Sequence, residues 1–122
     1  LRLEAYRRLA AVTTAAEVDD IRNEWEDRYG PLPQPAAALL QVGYLRAECQ
    51  RLGIVDMQIT PSDARLTPLT LKLSESMRLR RLTKGAKYKD DLHQLVVPLP
   101  RKVDPSESLV GVLRDLVPHD DD

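Results

Sequence analysis

The sequence predicts an α+β fold: three N-terminal helices packed on a small, mostly antiparallel sheet, with a short helix and a C-terminal helix completing the domain. Apolar residues recur every three or four positions up to Leu52, and the spacing changes to two after Gly53. The order Asp104-Pro105-Ser106-Glu107 then provides a cap, a proline and a first-turn carboxylate, which indicates a last helix. A length of 122 residues suits one domain, which we assign to residues 1–118, with residues 119–122 as a free acidic tail.

Composition narrows the classes of function. The net charge is −1, so no overall field attracts the chain to nucleic acid or to a membrane. No apolar run approaches the roughly 18 residues that indicate a membrane span. Cys49 is the only cysteine, which excludes an internal disulfide and indicates a reducing, cytoplasmic compartment. The chain starts directly in a helical pattern, and we expect it to be a fragment of a longer protein.

The first two helices are predicted over Leu1–Val12 and from about Ala15 to Tyr29. Thr14 precedes Glu17 by three positions, the spacing of a capping box in which each side chain satisfies a free amide at the helix start. Placed at about 100° per residue, the apolar side chains of the second helix form one buried stripe. The stripe consists of Val18, Ile21, Trp25 and Tyr29.

A second flank of the same helix carries four carboxylates, those of Glu17, Asp20, Glu24 and Asp27. Like charges at spacings of three and four repel each other, although Arg28 can partly neutralise Glu24. Two interpretations remain open on the charge pattern alone. The flank is either a solvated acidic face or a docking surface whose repulsion is relieved by an arginine-rich partner.

The third helix is predicted over Ala36–Leu52. Gly30 ends the second helix, a proline-rich turn follows, and Pro35 fits the first position of the new helix. Apolar residues surround most of its circumference, which indicates a position at the centre of the domain. We therefore interpret Cys49 as a core residue and Gly53 as the helix stop.

The second half of the chain is predicted to form the sheet. Two alternating runs suggest a hairpin with a turn at Pro61-Ser62-Asp63-Ala64, and a short helix capped by Ser74 or Ser76 is favoured over a further strand. A brief strand, a longer strand and the final helix follow. In order, the predicted elements are strands at Val55–Thr60 and Leu69–Ser74, a helix within Glu75–Gly85, strands at Lys87–Lys89 and Leu92–Leu99, and a helix with Leu109, Val112, Leu113, Leu116 and Val117 on its apolar face.

No motif for catalysis or cofactor binding is present. His93 and His119 lie far apart in sequence and no histidine or cysteine cluster has metal-ligand spacing. The five glycines are isolated, so no phosphate-binding loop exists. The carboxylates lie on an open helix that does not raise a pKa for acid catalysis. We expect no enzyme activity, no cofactor, no metal and no small-molecule ligand.

A basic cluster provides an alternative site. Phosphate contacts with nucleic acid are one interpretation of these side chains. A solvated patch is favoured, because Tyr88 is the only aromatic residue among them. The cluster consists of Arg78, Arg80, Arg81, Lys84, Lys87 and Lys89.

Three stretches of the sequence resemble the C-terminal domain of bacterial transcription-repair coupling factors. They are LRLEAYRRL at residues 1–9, EWEDRYGPLPQP at residues 24–35 and LGI at residues 52–54. The similarity is close over the first 55 residues and looser from Ser62 to Lys102. Members of this family are ATP-driven DNA translocases that remove stalled RNA polymerase and recruit excision repair through excinuclease A.

The resemblance implies a non-catalytic, autoinhibitory role. In the family this domain folds back on the N-terminal module that binds excinuclease A, and acidic residues of the second helix make the contact. Carried onto this chain, those residues are Glu24 and Asp27. The expected interface is Glu17, Asp20, Glu24, Asp27 and Arg28, with excinuclease A, RNA polymerase and DNA as indirect partners through the parent protein.

Overall fold

The structure, a computed structural model, describes residues 3–119 and confirms the α+β class. Within that range no helix is both long enough and apolar enough to cross a membrane. The elements, in chain order, are α1 (Leu3–Ala10), α2 (Ala15–Tyr29), α3 (Gln34–Leu52), β1 (Asp56–Ile59), β2 (Asp63–Thr67), α4 (Leu73–Leu82), β3 (Lys87–Lys89), a 3-10 turn (Asp90–Leu92), β4 (Gln94–Pro98) and α5 (Pro105–Leu116).

Helix α3 is the centre of the domain, as its apolar circumference predicts. It packs against α1, α2 and α5, and it buries Leu40, Tyr44 and Leu45. A Cβ atom added at Gly43 would lie 2.9 Å from the Leu9 side chain, so glycine permits the close approach of α1. The helix starts at Gln34, which makes Pro35 its second residue and not its first.

Helix α2 has the predicted bounds and the predicted capping box. Thr14 Oγ1 accepts a hydrogen bond from the Glu17 amide at 3.2 Å, and the Glu17 carboxylate accepts one from the Thr14 amide at 3.2 Å. Val18, Ile21 and Trp25 are buried as expected. The prediction was wrong for Tyr29, which is 62% exposed. The helix ends there, and Tyr29 lines a surface groove together with Trp25 and Ala36, both of which are buried.

The sheet has strand order β1-β2-β4-β3 and every neighbouring pair is antiparallel. The hairpin partner of β1 is Asp63–Thr67, so the prediction of a strand at Leu69–Ser74 was wrong. The chain reverses at Thr60, whose amide donates to the Asp63 carbonyl at 2.8 Å. Strand β2 therefore starts at Asp63, inside the stretch of residues 61–64 that was predicted to be a turn.

The run after Pro68 is not a strand but a loop with alternating buried and exposed residues, and its last two residues, Leu73 and Ser74, already belong to α4. Tyr88 holds it from the neighbouring sheet: its hydroxyl donates to the Leu69 carbonyl at 2.7 Å and accepts from the Leu71 amide at 3.3 Å. Leu69 and Leu71 are buried. An extended loop with one face against the core has the same alternation of apolar residues as a strand, which explains the error.

Strand β1 lacks the fully buried face that its alternation suggested. Val55, just before the strand, is 86% exposed, Ile59 is exposed, and only Met57 is half-buried. The strand lies at an edge of the sheet. The buried strand residues are concentrated in β2 and β4 at the middle of the sheet, where Ala64, Leu66, Leu95 and Val97 lie.

Helices α4 and α5 confirm the short helix and the last helix. The prediction that Ser74 or Ser76 caps α4 was wrong. The helix starts at Leu73, and the Glu75 carboxylate accepts a hydrogen bond from the backbone amide of Lys72, the residue before the helix. Asp104 caps α5 by accepting from the Glu107 amide at 3.2 Å. The free-tail prediction was wrong for His119, which lies 2.9 Å from Glu48 on α3. The rest of the predicted tail, residues 120–122, lies outside the described residues.

Candidate functional site: the acidic face of α2

The acidic face, defined as Glu17, Asp20, Glu24 and Asp27, lies on the surface of the domain. Burial of Val18, Ile21 and Trp25 against the core fixes the rotation of α2 about its axis. That rotation leaves all four carboxylates exposed, as the helical wheel predicts. The four residues differ, however, in how far they are already engaged within the domain.

Glu17 is engaged in the helix cap. Its carboxylate accepts hydrogen bonds from the Thr13 hydroxyl at 2.9 Å and from the amides of Thr13 and Thr14 at 3.2 Å each. The hydrogen bond from the Thr13 side chain is the largest of the causes that lower the pKa of Glu17. Glu17 therefore fixes the start of α2 and is the least available of the four for a partner.

Glu24 pairs with Arg8 of α1, a contact that joins residues sixteen positions apart. The hydrogen bond from Arg8 is the main cause that lowers the pKa of Glu24, and the charge of Arg28 lowers it further. Both side chains of the pair remain nearly half exposed. The pairing with Arg8 was missed by sequence reasoning because nothing in the local pattern relates the first helix to this flank.

Asp20 and Asp27 are exposed, and neither forms an ion pair with any residue between 3 and 119. Arg28, also predicted for the interface, is exposed, and its guanidinium lies 6.0 Å from the Tyr29 ring centre. The acidic face thus presents two carboxylates without a charged partner in the described chain, beside a third that is paired at the surface.

A groove of about 520 Å³ runs beside Glu24. Its apolar lining comes from Trp25 and Tyr29 of α2 and from Leu32 in the turn that leads to α3. Arg8 and Glu24 line the same groove. Charged and apolar side chains therefore meet at one depression, which the sequence pattern alone did not indicate.

The basic cluster is only partly available. Arg78 donates to the Leu116 carbonyl at 2.7 Å and so ties α4 to the end of α5, which argues against its predicted role in nucleic-acid contact. The remaining members are exposed on α4, β3 and the segment between them. They are Arg80, Arg81, Lys84, Lys87 and Lys89.

A second carboxylate site, inside the domain, was also missed. Glu48 of α3 is completely buried and contacts Arg51 at 2.7 Å and His119 at 2.9 Å. The spacing of Glu48 and Arg51 was the available signal, but nothing local indicates that the end of the chain returns to α3. Beside it, burial raises the pKa of Cys49 to about 11, with a contribution from Glu48, as befits a packing residue and not a nucleophile.

In the described part of the chain, no three histidine, cysteine, aspartate or glutamate side chains are grouped so as to hold a metal ion. What the acidic face can do chemically is accept charge-assisted hydrogen bonds from cationic side chains.

Comparison with known proteins now identifies the family. The TRCF domain family matches residues 1–82 of the chain, which therefore belongs to that family. The transcription-repair-coupling factors of Mycobacterium bovis and Mycobacterium tuberculosis are each 45% identical over 102 residues, or 83% of this chain. The Escherichia coli protein is 45% identical over 53 residues, or 43% of this chain.

The chain corresponds to a small part of these relatives, 8% of the mycobacterial proteins and 5% of the Escherichia coli protein. The crystal structure of the C-terminal domain of a transcription-repair coupling factor has the same fold. It superposes with a TM-score of 0.72 at 17% identity and covers 93% of this chain and 77% of that one. The chain is thus a TRCF-family domain with the fold of the C-terminal domain of a repair coupling factor.

Proposed function

We propose that this chain is a non-catalytic regulatory domain of a cytoplasmic, DNA-translocating transcription-repair coupling factor. In this role its acidic face docks on the N-terminal module of the same polypeptide and masks the surface that binds excinuclease A. The observation that carries the proposal is the exposure of Asp20 and Asp27 without an ionic partner in residues 3–119, next to Glu24 on the same rigid helix.

Electrostatics favours docking over a merely solvated face. Carboxylates at spacings of three and four on one helix flank repel each other, and a cationic partner relieves that repulsion. Arginine forms the strongest such contacts because its planar fork donates two hydrogen bonds to one carboxylate. An arginine-bearing surface is therefore the partner that fits these residues.

A tethered domain does not need strong individual contacts. Exposed ion pairs are worth about 0–1 kcal/mol each, so the free domain would bind its module weakly. A covalent connection raises the effective concentration to about the millimolar range, which makes weak contacts sufficient to keep the surface covered. The same weakness allows release when another event disfavours the closed arrangement.

The test is the double variant Glu24→Lys plus Asp27→Lys in the full-length protein. We expect an intact fold, because both side chains are exposed, and tighter binding of excinuclease A, measured by calorimetry. A matched control is Glu26→Lys plus Asp56→Lys, which makes the same change of charge at exposed positions outside the acidic face. Unchanged binding in the first variant, with an intact fold, contradicts the proposal.

The exposed part of the basic cluster supports a second candidate, a nucleic-acid-binding accessory domain. Arg80, Arg81, Lys84, Lys87 and Lys89 remain at the surface. A gel-shift experiment with this domain separates the two functions. Affinity for DNA at about the micromolar level, falling steeply with salt, would support the second candidate.

A further inference from the structure

The contact between Arg8 and Glu24 is easily broken. Arg8 lies on α1, an eight-residue helix of which only Leu9 is buried. Both partners of the ion pair are more than two-fifths exposed, at 43% and 46% of their side-chain surfaces. Arg8 can therefore leave Glu24 for water without opening the core, and the exchange costs little because an exposed pair is weak.

The groove beside this pair has the features that an arginine side chain requires. Arginine combines an apolar stem with a planar, charged fork. Trp25 and Leu32 provide apolar walls and Tyr29 provides an aromatic ring, all within one groove of about 520 Å³. Glu24 and Glu4 provide carboxylates, which balance the two cations of the lining, Arg8 and Arg28. Arg8 also lines this groove, and its Nη1 atom bonds the Glu24 carboxylate.

We propose that the groove between α1, α2 and the turn before α3 is a receptor for one arginine side chain of the docking partner, and that Arg8 is its internal competitor. The identity of that partner rests on the proposed function. Docking on this view is an exchange in which an incoming arginine replaces Arg8 on Glu24. Asp20 and Asp27, which have no ionic partner in residues 3–119, receive further cations without displacing anything.

The exchange predicts that Arg8→Ala changes the affinity for excinuclease A in the opposite direction to the double lysine variant. Arg8→Ala frees Glu24, so the closed arrangement of the full-length protein becomes more stable. The apparent affinity for excinuclease A should then fall, because the binding-competent open fraction decreases. The expected decrease is up to about five-fold, the range that one exposed pair can supply.

Arg7→Ala is the matched control. Arg7 is exposed on the same helix, and it forms no ion pair with the described residues. We expect it to leave binding of excinuclease A unchanged. A thermal melt of each variant checks that α1 remains folded.

The outcomes separate the two proposals. If the double lysine variant increases binding but Arg8→Ala equals Arg7→Ala or also increases binding, the competitor role is overturned and the docking face stands. If the double lysine variant has no effect, the proposed function fails. In that case, titration with an arginine probe still tests whether the groove binds arginine.

That titration uses N-acetyl-arginine amide as the probe and the indole signal of Trp25, the only tryptophan, as the reporter in this chain. The probe should shift the Trp25 resonance at lower concentration in Arg8→Ala than in the parent sequence, and the corresponding lysine amide should shift it less. An equal response to both amides contradicts an arginine receptor, and an equal response of Arg8→Ala and the parent sequence contradicts the competitor role of Arg8.

Discussion

Two glutamates of this domain have similar ionic chemistry and opposite settings. Glu48 on α3 is wholly buried and contacts both Arg51 and His119, whereas Glu24 on α2 is exposed and contacts Arg8. Each pair joins a carboxylate to an arginine. Burial decides what the pair does: the buried Glu48 carboxylate has no water to replace a lost partner, whereas Arg8 and Glu24 are both resolvated at once.

The comparison separates a stabilising ionic contact from one that lies at the proposed docking face. The inner site connects α3, through His119, to the segment that follows α5, the helix that packs most extensively on α3 in the described structure. The outer site connects α1 to α2 at the surface. We therefore expect substitutions at Glu48 to affect unfolding and substitutions at Glu24 to affect recognition.

The largest expected effect is on stability at the buried site. Glu48→Ala leaves a cavity at a wholly buried position and removes the acceptor of Arg51 and His119, so it should lower the free energy of unfolding by about 3 kcal/mol. Urea denaturation followed by circular dichroism measures the change. Glu26→Ala, at an exposed position of α2, is the control and should leave the unfolding midpoint in place. A loss at Glu48 no larger than at Glu26 would refute the structural role of the buried site.

The next effect concerns the thiol beside the buried site. Burial and the charge of Glu48 raise the pKa of Cys49 from 9.0 to about 11. The fraction of thiolate at pH 8 should then be about 100-fold lower than for an unperturbed cysteine, and alkylation by iodoacetamide correspondingly slow. The urea-unfolded chain provides the reference rate. Equal rates in the folded and unfolded chains contradict the assigned environment.

Removal of the N-terminal cap of α2, the helix that carries Glu24, should have a smaller effect on stability. Thr14→Ala removes the hydroxyl that accepts from the Glu17 amide and should reduce stability by about 1 kcal/mol. Thr14→Ser keeps an acceptor at the same place and should retain most of the stability. Urea denaturation of the two variants measures the difference, and equal losses show that the hydroxyl is not the stabilising group.

The smallest expected effect is at Glu24 itself. Its pKa lies below the ordinary 4.5, chiefly because Arg8 donates to the carboxylate. A lowered folded-state pKa means that the stabilisation is complete above the unfolded value of about 4.5 and is lost as the pH falls through the folded value. Arg8→Ala should move the pKa of Glu24 back towards 4.5, measured by carbon NMR of the carboxyl group, whereas Arg7→Ala should not.

Short-range signals in the sequence determined where several helices begin or end and which flank of α2 is exposed. The capping box of Thr14 and Glu17, the left-handed stop at Gly53 and the cap at Asp104 each act within four residues, so they can be recognised without a fold. The exposure of the acidic face follows from the helical period once Val18, Ile21 and Trp25 are taken as buried.

Only the tertiary structure decided which distant groups meet. The loop at Leu69 and Leu71 alternates like a strand, yet Tyr88 and the hairpin of β1 with β2 take it out of the sheet. Arg8 reaches Glu24, and His119 reaches Glu48, across sixteen and 71 positions. The spacing of apolar residues indicates which face of a helix or strand is buried, but not which distant residue that element contacts. The contact depends on how all the elements pack around one core.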